Sequence, residues 1–97
     1  TVKPPATFEL GQNYPNPFNP ETTIRYALAE PSHVRITIYN LVEQVVRVLV
    51  DTDQPVGFHT VHWNGRNTHG QQISSGIYLY QIEAGTFVNT RKMLLIK

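Results

Sequence analysis

From Thr22 onward the chain alternates apolar and polar residues in short runs, and turn-forming residues separate the runs. Thr22 to Leu28 sends Ile24, Tyr26 and Leu28 to one face and Thr23, Arg25 and Ala27 to the other. Val34 to Tyr39 repeats this, with Val34, Ile36 and Ile38 inward and Arg35, Thr37 and Tyr39 outward. Glu30, Pro31 and Ser32 lie between these two strands, which predicts a hairpin. A turn at Asn40 to Glu43 leads to Gln44–Val50, where Val46, Val48 and Val50 oppose Val45, Arg47 and Leu49. Apolar residues on both faces predict a central or sandwiched strand. Asp51 to Gly57 reads as a loop. Phe58 to Trp63 reads as a strand with His59, Val61 and Trp63 inward. Asn64 Gly65 opens a long loop through Gly70, Ser74 and Ser75. Ile77 to Glu83 then sets Tyr78, Tyr80 and Ile82 against Ile77, Leu79 and Gln81. Ala84 Gly85 Thr86 turns the chain, and Phe87 to Ile96 forms a last strand ending in the apolar run Met93 Leu94 Leu95 Ile96. Phe8 to Leu10 predicts a short edge strand. With no helical periodicity, the reading is all-β: an immunoglobulin-like antiparallel β-sandwich of about seven strands.

One stretch departs from this rhythm. In Asn13 Tyr14 Pro15 Asn16 Pro17 Phe18 Asn19 Pro20, each proline fixes φ and removes a backbone donor, so the segment is neither helix nor interior strand. It is expected to be a stiff, turn-rich loop in which the asparagine side chains bond to backbone about two residues on. Tyr14 and Phe18 are its large apolar groups. Burying each contributes on the order of 2 kcal/mol, which makes both expected anchors to the core.

Ninety-seven residues make one domain, large enough to hold a core without staples. Eight Lys plus Arg against seven Asp plus Glu, scattered singly, argue against an electrostatic grip on nucleic acid or anionic lipid. The absence of cysteine removes disulfides and thiolate metal sites, and leaves the redox compartment open. No apolar run is long enough to span a membrane, and Thr1 Val2 Lys3 Pro4 Pro5 carries no signal-like region. Residues 1–7 are read as a linker remnant from a longer protein and residues 8–97 as the domain; a monomer is expected.

Candidate chemistry is sparse. His59 and His62 are three apart on a strand and project to opposite faces, while His33 and His69 fall in expected turns. Asp51 and Asp53 have the alternate spacing of a calcium loop without its glycine or final glutamate, and are read as a solvated turn. No serine has a nucleophile-elbow context and no glycine precedes a helix, so neither an enzyme nor a nucleotide site is expected, and no cofactor or metal. Trp63, Tyr78 and Tyr80 are expected in the core; the alternative is a stacking platform for a sugar or base. The terminal apolar run is read as a central strand, or alternatively as an edge offered to a receptor by strand addition.

Several pieces together carry a resemblance: Gln12 Asn13 Tyr14 Pro15 Asn16 Pro17 Phe18 Asn19 Pro20 with Thr22 and Ile24; Ile38 Tyr39 Asn40; Trp63 Asn64 Gly65 Arg66; Ser75 Gly76 Ile77 Tyr78; and Arg91 Lys92 Met93 Leu94. Over about residues 8–97 the chain resembles the type A C-terminal sorting domain (Por secretion tail) of cargo exported by the bacterial type IX secretion system. That family is related to the immunoglobulin-like domain of flagellar hook-capping proteins. The resemblance implies a non-catalytic address tag, read by the outer-membrane translocon after Sec export to the periplasm. It also implies a cargo domain on the N-terminal side, a sortase-like peptidase as second partner, and a secreted or cell-surface destination. By position, the recognition residues would be Tyr14, Pro15, Asn16, Pro17 and Phe18; Gly76 and Tyr78; and Lys92, Met93, Leu94, Leu95, Ile96 and Lys97. An accessory polysaccharide-binding or spacer domain of an extracellular enzyme is the alternative. Where that family usually carries glycine in the turn after Asn40, this chain has Glu43. At φ > 0 glutamate is strained, so a longer turn or one of another type is expected.

Overall fold

A computed structural model describes residues 3–96; Thr1 and Val2 of the expected linker, and Lys97, lie outside the described residues. Seven strands form two antiparallel sheets. β1 (Glu9–Leu10), β2 (Thr22–Leu28) and β5 (Gly57–Trp63) make a three-stranded sheet in the order β1-β2-β5. β3 (Ser32–Tyr39), β4 (Val45–Gln54), β6 (Gly76–Ala84) and β7 (Phe87–Leu95) make a four-stranded sheet in the order β4-β3-β6-β7. The inward sets expected from alternation meet between the sheets: Ile24, Tyr26 and Leu28 of β2, Val34, Ile36 and Ile38 of β3, and Tyr78, Tyr80 and Ile82 of β6 are all buried. Leu10, Phe18, Trp63, Ala84, Met93 and Leu95 join them in the core. Burying an aliphatic or aromatic side chain contributes about 1.5–3 kcal/mol, so this interleaved layer is the main source of stability.

The expected hairpin between β2 and β3 does not form. β2 pairs with β1 and β5, β3 with β4 and β6, so residues 29–31 carry the chain from one sheet to the other. Pro31 lacks an N–H and disfavours helical backbone at the residue before it, which suits a crossing between layers better than a tight two-residue turn. The β6–β7 hairpin forms as expected, with Ala84 opposite Phe87 across Gly85.

β4 is an edge strand, contrary to the central position expected from its apolar faces. Its ladder to β3 shifts between Ile36 and Thr37 and again between Ile38 and Tyr39. Each bulge resets the alternation, and Val46, Leu49 and Val50 pack on the core, a set no single period of two produces. The strand also runs through Asp51 to Gln54, where a loop was expected. His33, expected in a turn, stands in β3 directly across from Asp53. Its Nδ1 lies 2.7 Å from Asp53 Oδ1 and its Nε2 2.7 Å from Asp51 Oδ1, so the exposed ring staples β3 to the edge strand rather than leaving the two aspartates as a solvated turn.

The turn after Asn40 keeps its short form. Asn40 Oδ1 accepts from Val42 N and Gln44 N, Glu43 N donates to Asn40 O, and Glu43 sits at φ 64°, the left-handed position where glycine is unstrained. The expected strain is present; the expected lengthening is not. Glu43→Gly is therefore expected to raise unfolding stability by about 1 kcal/mol, measured by denaturant unfolding. His33 carries a pH signature: hydrogen bonds to Asp51 and then Asp53 raise its pKa above the ordinary value. Because the folded value is the higher one, the staple's contribution is complete below the unfolded pKa and is lost as pH rises through the folded pKa. In paired thermal melts the stability difference between the unmutated domain and His33→Gln is expected in full below the ordinary histidine pKa of about 6.5 and should shrink as pH rises through the raised folded pKa.

Candidate functional site

Residues 11–20 run along the open side of the sandwich as a strap between the two sheets. On the β2 side, Gly11 N donates to Arg25 O at 2.8 Å, and Tyr14 and Thr23 exchange two main-chain hydrogen bonds at 2.9 Å. On the β7 side, Gln12 Nε2 donates to Lys92 O at 2.8 Å, and Leu94 N donates to Asn16 Oδ1 at 2.9 Å. Phe18 N then donates to Leu94 O at 2.9 Å and Phe18 O accepts from Ile96 N at 3.0 Å, a short parallel bridge. Arg91 Nε adds a bond to Leu10 O just before the strap begins. Prolines lack the donor an interior strand would need, and the asparagine and glutamine side chains supply part of the bonding in its place.

A buried polar network holds the strap from inside. The Tyr80 hydroxyl donates to Gly11 O at 2.6 Å and accepts from Asn13 N at 2.9 Å. Burial pushes the Tyr80 phenol pKa up, opposed by the Asn13 N–H and by Arg91, so it remains a neutral donor at physiological pH. Asn13, only 2% exposed, donates from Nδ2 to Pro15 O and Thr22 Oγ1, and Thr22 Oγ1 donates to Pro15 O. Each buried group in this set has a partner, which is what makes such burial tolerable.

The two aromatic residues of the strap have different fates. Phe18 is 1% exposed and meets the Trp63 ring at 5.6 Å; Trp63 in turn meets Tyr78 edge-on at 6.4 Å. Tyr14 is 79% exposed and holds the strap through its backbone alone among the described contacts, so it is not the core anchor expected of it. The physical reason is register: a residue paired to β2 through both main-chain groups has its side chain aimed by that ladder, here away from the core. Trp63, whose Nε1 donates to Arg66 O, is in the core together with Tyr78 and Tyr80, and no stacking platform is formed from them.

Of the other expected recognition residues, Pro15, Asn16, Pro17 and Lys92 are exposed, Gly76 and Leu94 half-buried, Tyr78, Met93 and Leu95 buried, and Ile96 nearly half exposed; Lys97 lies outside the described residues. Three motifs far apart in sequence meet here. Gly76 lies opposite Leu95 and Tyr78 opposite Met93, so strap, β7 and the start of β6 are neighbours in that order. β7 is the edge of its sheet, not a central strand, and the strap occupies the edge's outer side over residues 92–96. Gly65 joins from the opposite direction: at φ 75°, a Cβ there would stand 2.5 Å from Pro20 O, so only glycine lets the Trp63-Asn64-Gly65 turn approach the strap. Asn13, Thr22 and Gly65 carry the resemblance without having been expected as recognition residues, and Tyr80 was expected in the core rather than as a tether of the loop. The asparagine before two closely spaced prolines was the available signal for the first.

Among the described residues no group of three or more His, Asp or Glu side chains is placed to hold a metal ion. An 880 Å³ groove, lined in part by Phe8, Arg25, Tyr26, Phe58, Phe87 and Arg91, contains none of the expected recognition residues.

This architecture defines a class: a small immunoglobulin-like β-sandwich whose distinguishing feature is a strapped edge. The profile of the FlgD Ig-like domain matches residues 18–86, and the chain belongs to that family. Among solved structures, dimeric latent PorU from Porphyromonas gingivalis superposes with a TM-score of 0.74 at 18% identity, over 98% of this chain and 10% of that one. PorZ of the same organism, described as an essential bacterial surface component of the type-IX secretion system, superposes with a TM-score of 0.64 at 20% identity, over 93% and 11%. The chain thus spans about a tenth of each neighbour, and at these identities the likeness is one of fold. No curated protein matches it in sequence.

The contrast between the two strap aromatics is directly measurable. Phe18→Ala is expected to lower stability by about 3–5 kcal/mol, and Tyr14→Ala to change it by less than about 0.5 kcal/mol, in urea unfolding of the two variants.

Proposed function

We propose that this domain is a non-catalytic C-terminal sorting signal, directing an exported cargo through the type IX secretion system across the outer membrane. The observation that carries the reading is the convergence of the proline motif, the Gly76–Tyr78 motif and the terminal strand on one edge. Separate motifs that unite on a surface suit recognition by a common receptor, whereas a linker or inert spacer has no need of them. The shared fold with a part of PorZ, a surface component of that system, supports the same direction. The partners in this reading are the translocon, its sortase-like peptidase and a cargo domain on the N-terminal side. The destination is the cell surface or medium, reached through the periplasm, with the tag acting as a monomer. Among the described residues no helix is long and apolar enough to cross a membrane. The polysaccharide-binding alternative loses its proposed contact surface, because Trp63, Tyr78 and Tyr80 are buried.

Truncation of residues 92–97 is a poor test, since it removes core residues Met93 and Leu95 together with any address. A gain-of-function assay avoids this. A fluorescent reporter carrying a Sec signal and these 97 residues is expected outside the cell in a host with the secretion system and in the periplasm of an isogenic host lacking it. Equal distribution in the two hosts would overturn the reading.

A further inference from the structure

We propose that the partner of this edge is a folded protein that receives the exposed Tyr14 ring in an apolar slot, and that it does not add a strand to β7. This deepens the sorting-signal reading and rests on it.

The terminal strand has the composition of a strand offered for pairing, but over residues 92–96 four of its outer main-chain groups are already used. Lys92 O, Leu94 N, Leu94 O and Ile96 N are bonded to Gln12, Asn16 and Phe18 of the strap. An incoming strand would have to break these bonds. It would also have to displace Phe18, whose N and O form the bridge while its ring is packed on Trp63, so strand addition would uncover a core aromatic. The bonds an added strand could offer in return only replace those it breaks.

The strap's outer surface is what remains available. Tyr14 is 79% exposed, flanked by exposed Pro15, Asn16 and Pro17. Its backbone is fixed by both hydrogen bonds to Thr23, and the following carbonyl, Pro15 O, is held by Asn13 and Thr22. A ring on so constrained a base loses little freedom when it is buried, and tyrosine is among the residues most often dominant at interfaces. Pro15 and Pro17 contribute no N–H, so beside the ring the surface presents the apolar faces of the two prolines with the amide of Asn16 between them. The complementary chemistry is an apolar or aromatic-lined slot of the kind that takes proline-containing segments, with a hydrogen-bond donor or acceptor for the phenol oxygen. Tyr14 is absent from the lining of the 880 Å³ groove and stands exposed, as suits an inserting element.

The test uses the reporter fusion in the competent host with four variants, each also melted as the purified domain. Tyr14→Ala is expected to reduce export about tenfold or more with an unchanged melting temperature, while Tyr14→Phe keeps most of it. Phe58→Ala, which removes an exposed aromatic from β5 opposite Ala27, at the other end of β2 from Thr23, is expected to export normally. Asn16→Leu removes the acceptor of Leu94 N and loosens the strap; export should fall or stay level. Normal export of Tyr14→Ala overturns the proposal, and so does increased export of Asn16→Leu, which would mean that an opened β7 edge is what the partner reads. If Tyr14→Ala proves unstable, increased export of Asn16→Leu still overturns the proposal. Failure of the unmutated fusion to leave the cell would instead overturn the sorting reading itself.

Discussion

The two hydrogen bonds of the Tyr80 hydroxyl, to Gly11 O and from Asn13 N, tie the middle of one sheet to a segment that belongs to neither. Tyr80 is fully buried on β6, so its oxygen has access only to the strap. Were the strap to lift, a phenol, an amide and a carbonyl would lose their partners inside an apolar core, each at a cost of roughly 1–3 kcal/mol. The placement of Phe18 against Trp63, the burial of Asn13 and the bonds along β7 all follow from the strap being held at this depth. An apolar residue in place of Tyr80 would preserve the packing and still leave the strap without its internal tether.

The same arrangement answers the hazard that an apolar edge strand creates. A terminal strand with buried Met93 and Leu95 and partly exposed Leu94 and Ile96 would, with a bare edge, template pairing with other chains. Edge protection usually relies on lysine, proline or a bulge. Here the prolines are in the covering segment, and the covered strand is left free to be apolar. On the opposite side of its sheet, β4 is managed differently, with two bulges and the His33–Asp51–Asp53 staple on its exposed stretch. The two edges of one sheet therefore have unlike chemistry, one covered by a strap bonded through main and side chains and the other bulged and stapled to its inner neighbour.

Most of the fold was legible because alternation is a local consequence of the pleat. Ile24, Tyr26 and Leu28, or Val34, Ile36 and Ile38, declare an inward face without reference to any partner. What was not legible depends on partners. Whether Leu28 and Ser32 flank a hairpin or a crossing between sheets is decided by which face is already covered, and both arrangements have the same local pattern. Runs apolar on both faces, as in β4 and the end of β7, were assigned to central strands, yet bulges produced the pattern in the first and a covering strap permits it in the second. The site was half legible: the proline motif and the terminal run stood out by composition, and their contact did not. Tyr14 and Phe18 differ in no local property that would send one outward; only the register of the strap against β2 and β7 separates them.

The bond between Asn16 and Leu94 joins groups 78 residues apart. A polymer made or threaded from its N-terminal end presents Asn16 and Phe18 early and Leu94 and Ile96 among the last of the described residues. Until then the strap has a partner on β2 alone, Phe18 lacks the wall that β7 supplies, and the loop to be closed is nearly the whole domain. A chain broken off within β7 keeps every residue of the strap and cannot seat it. Closure of this seam is therefore a physical record that the chain has been made through the end of β7.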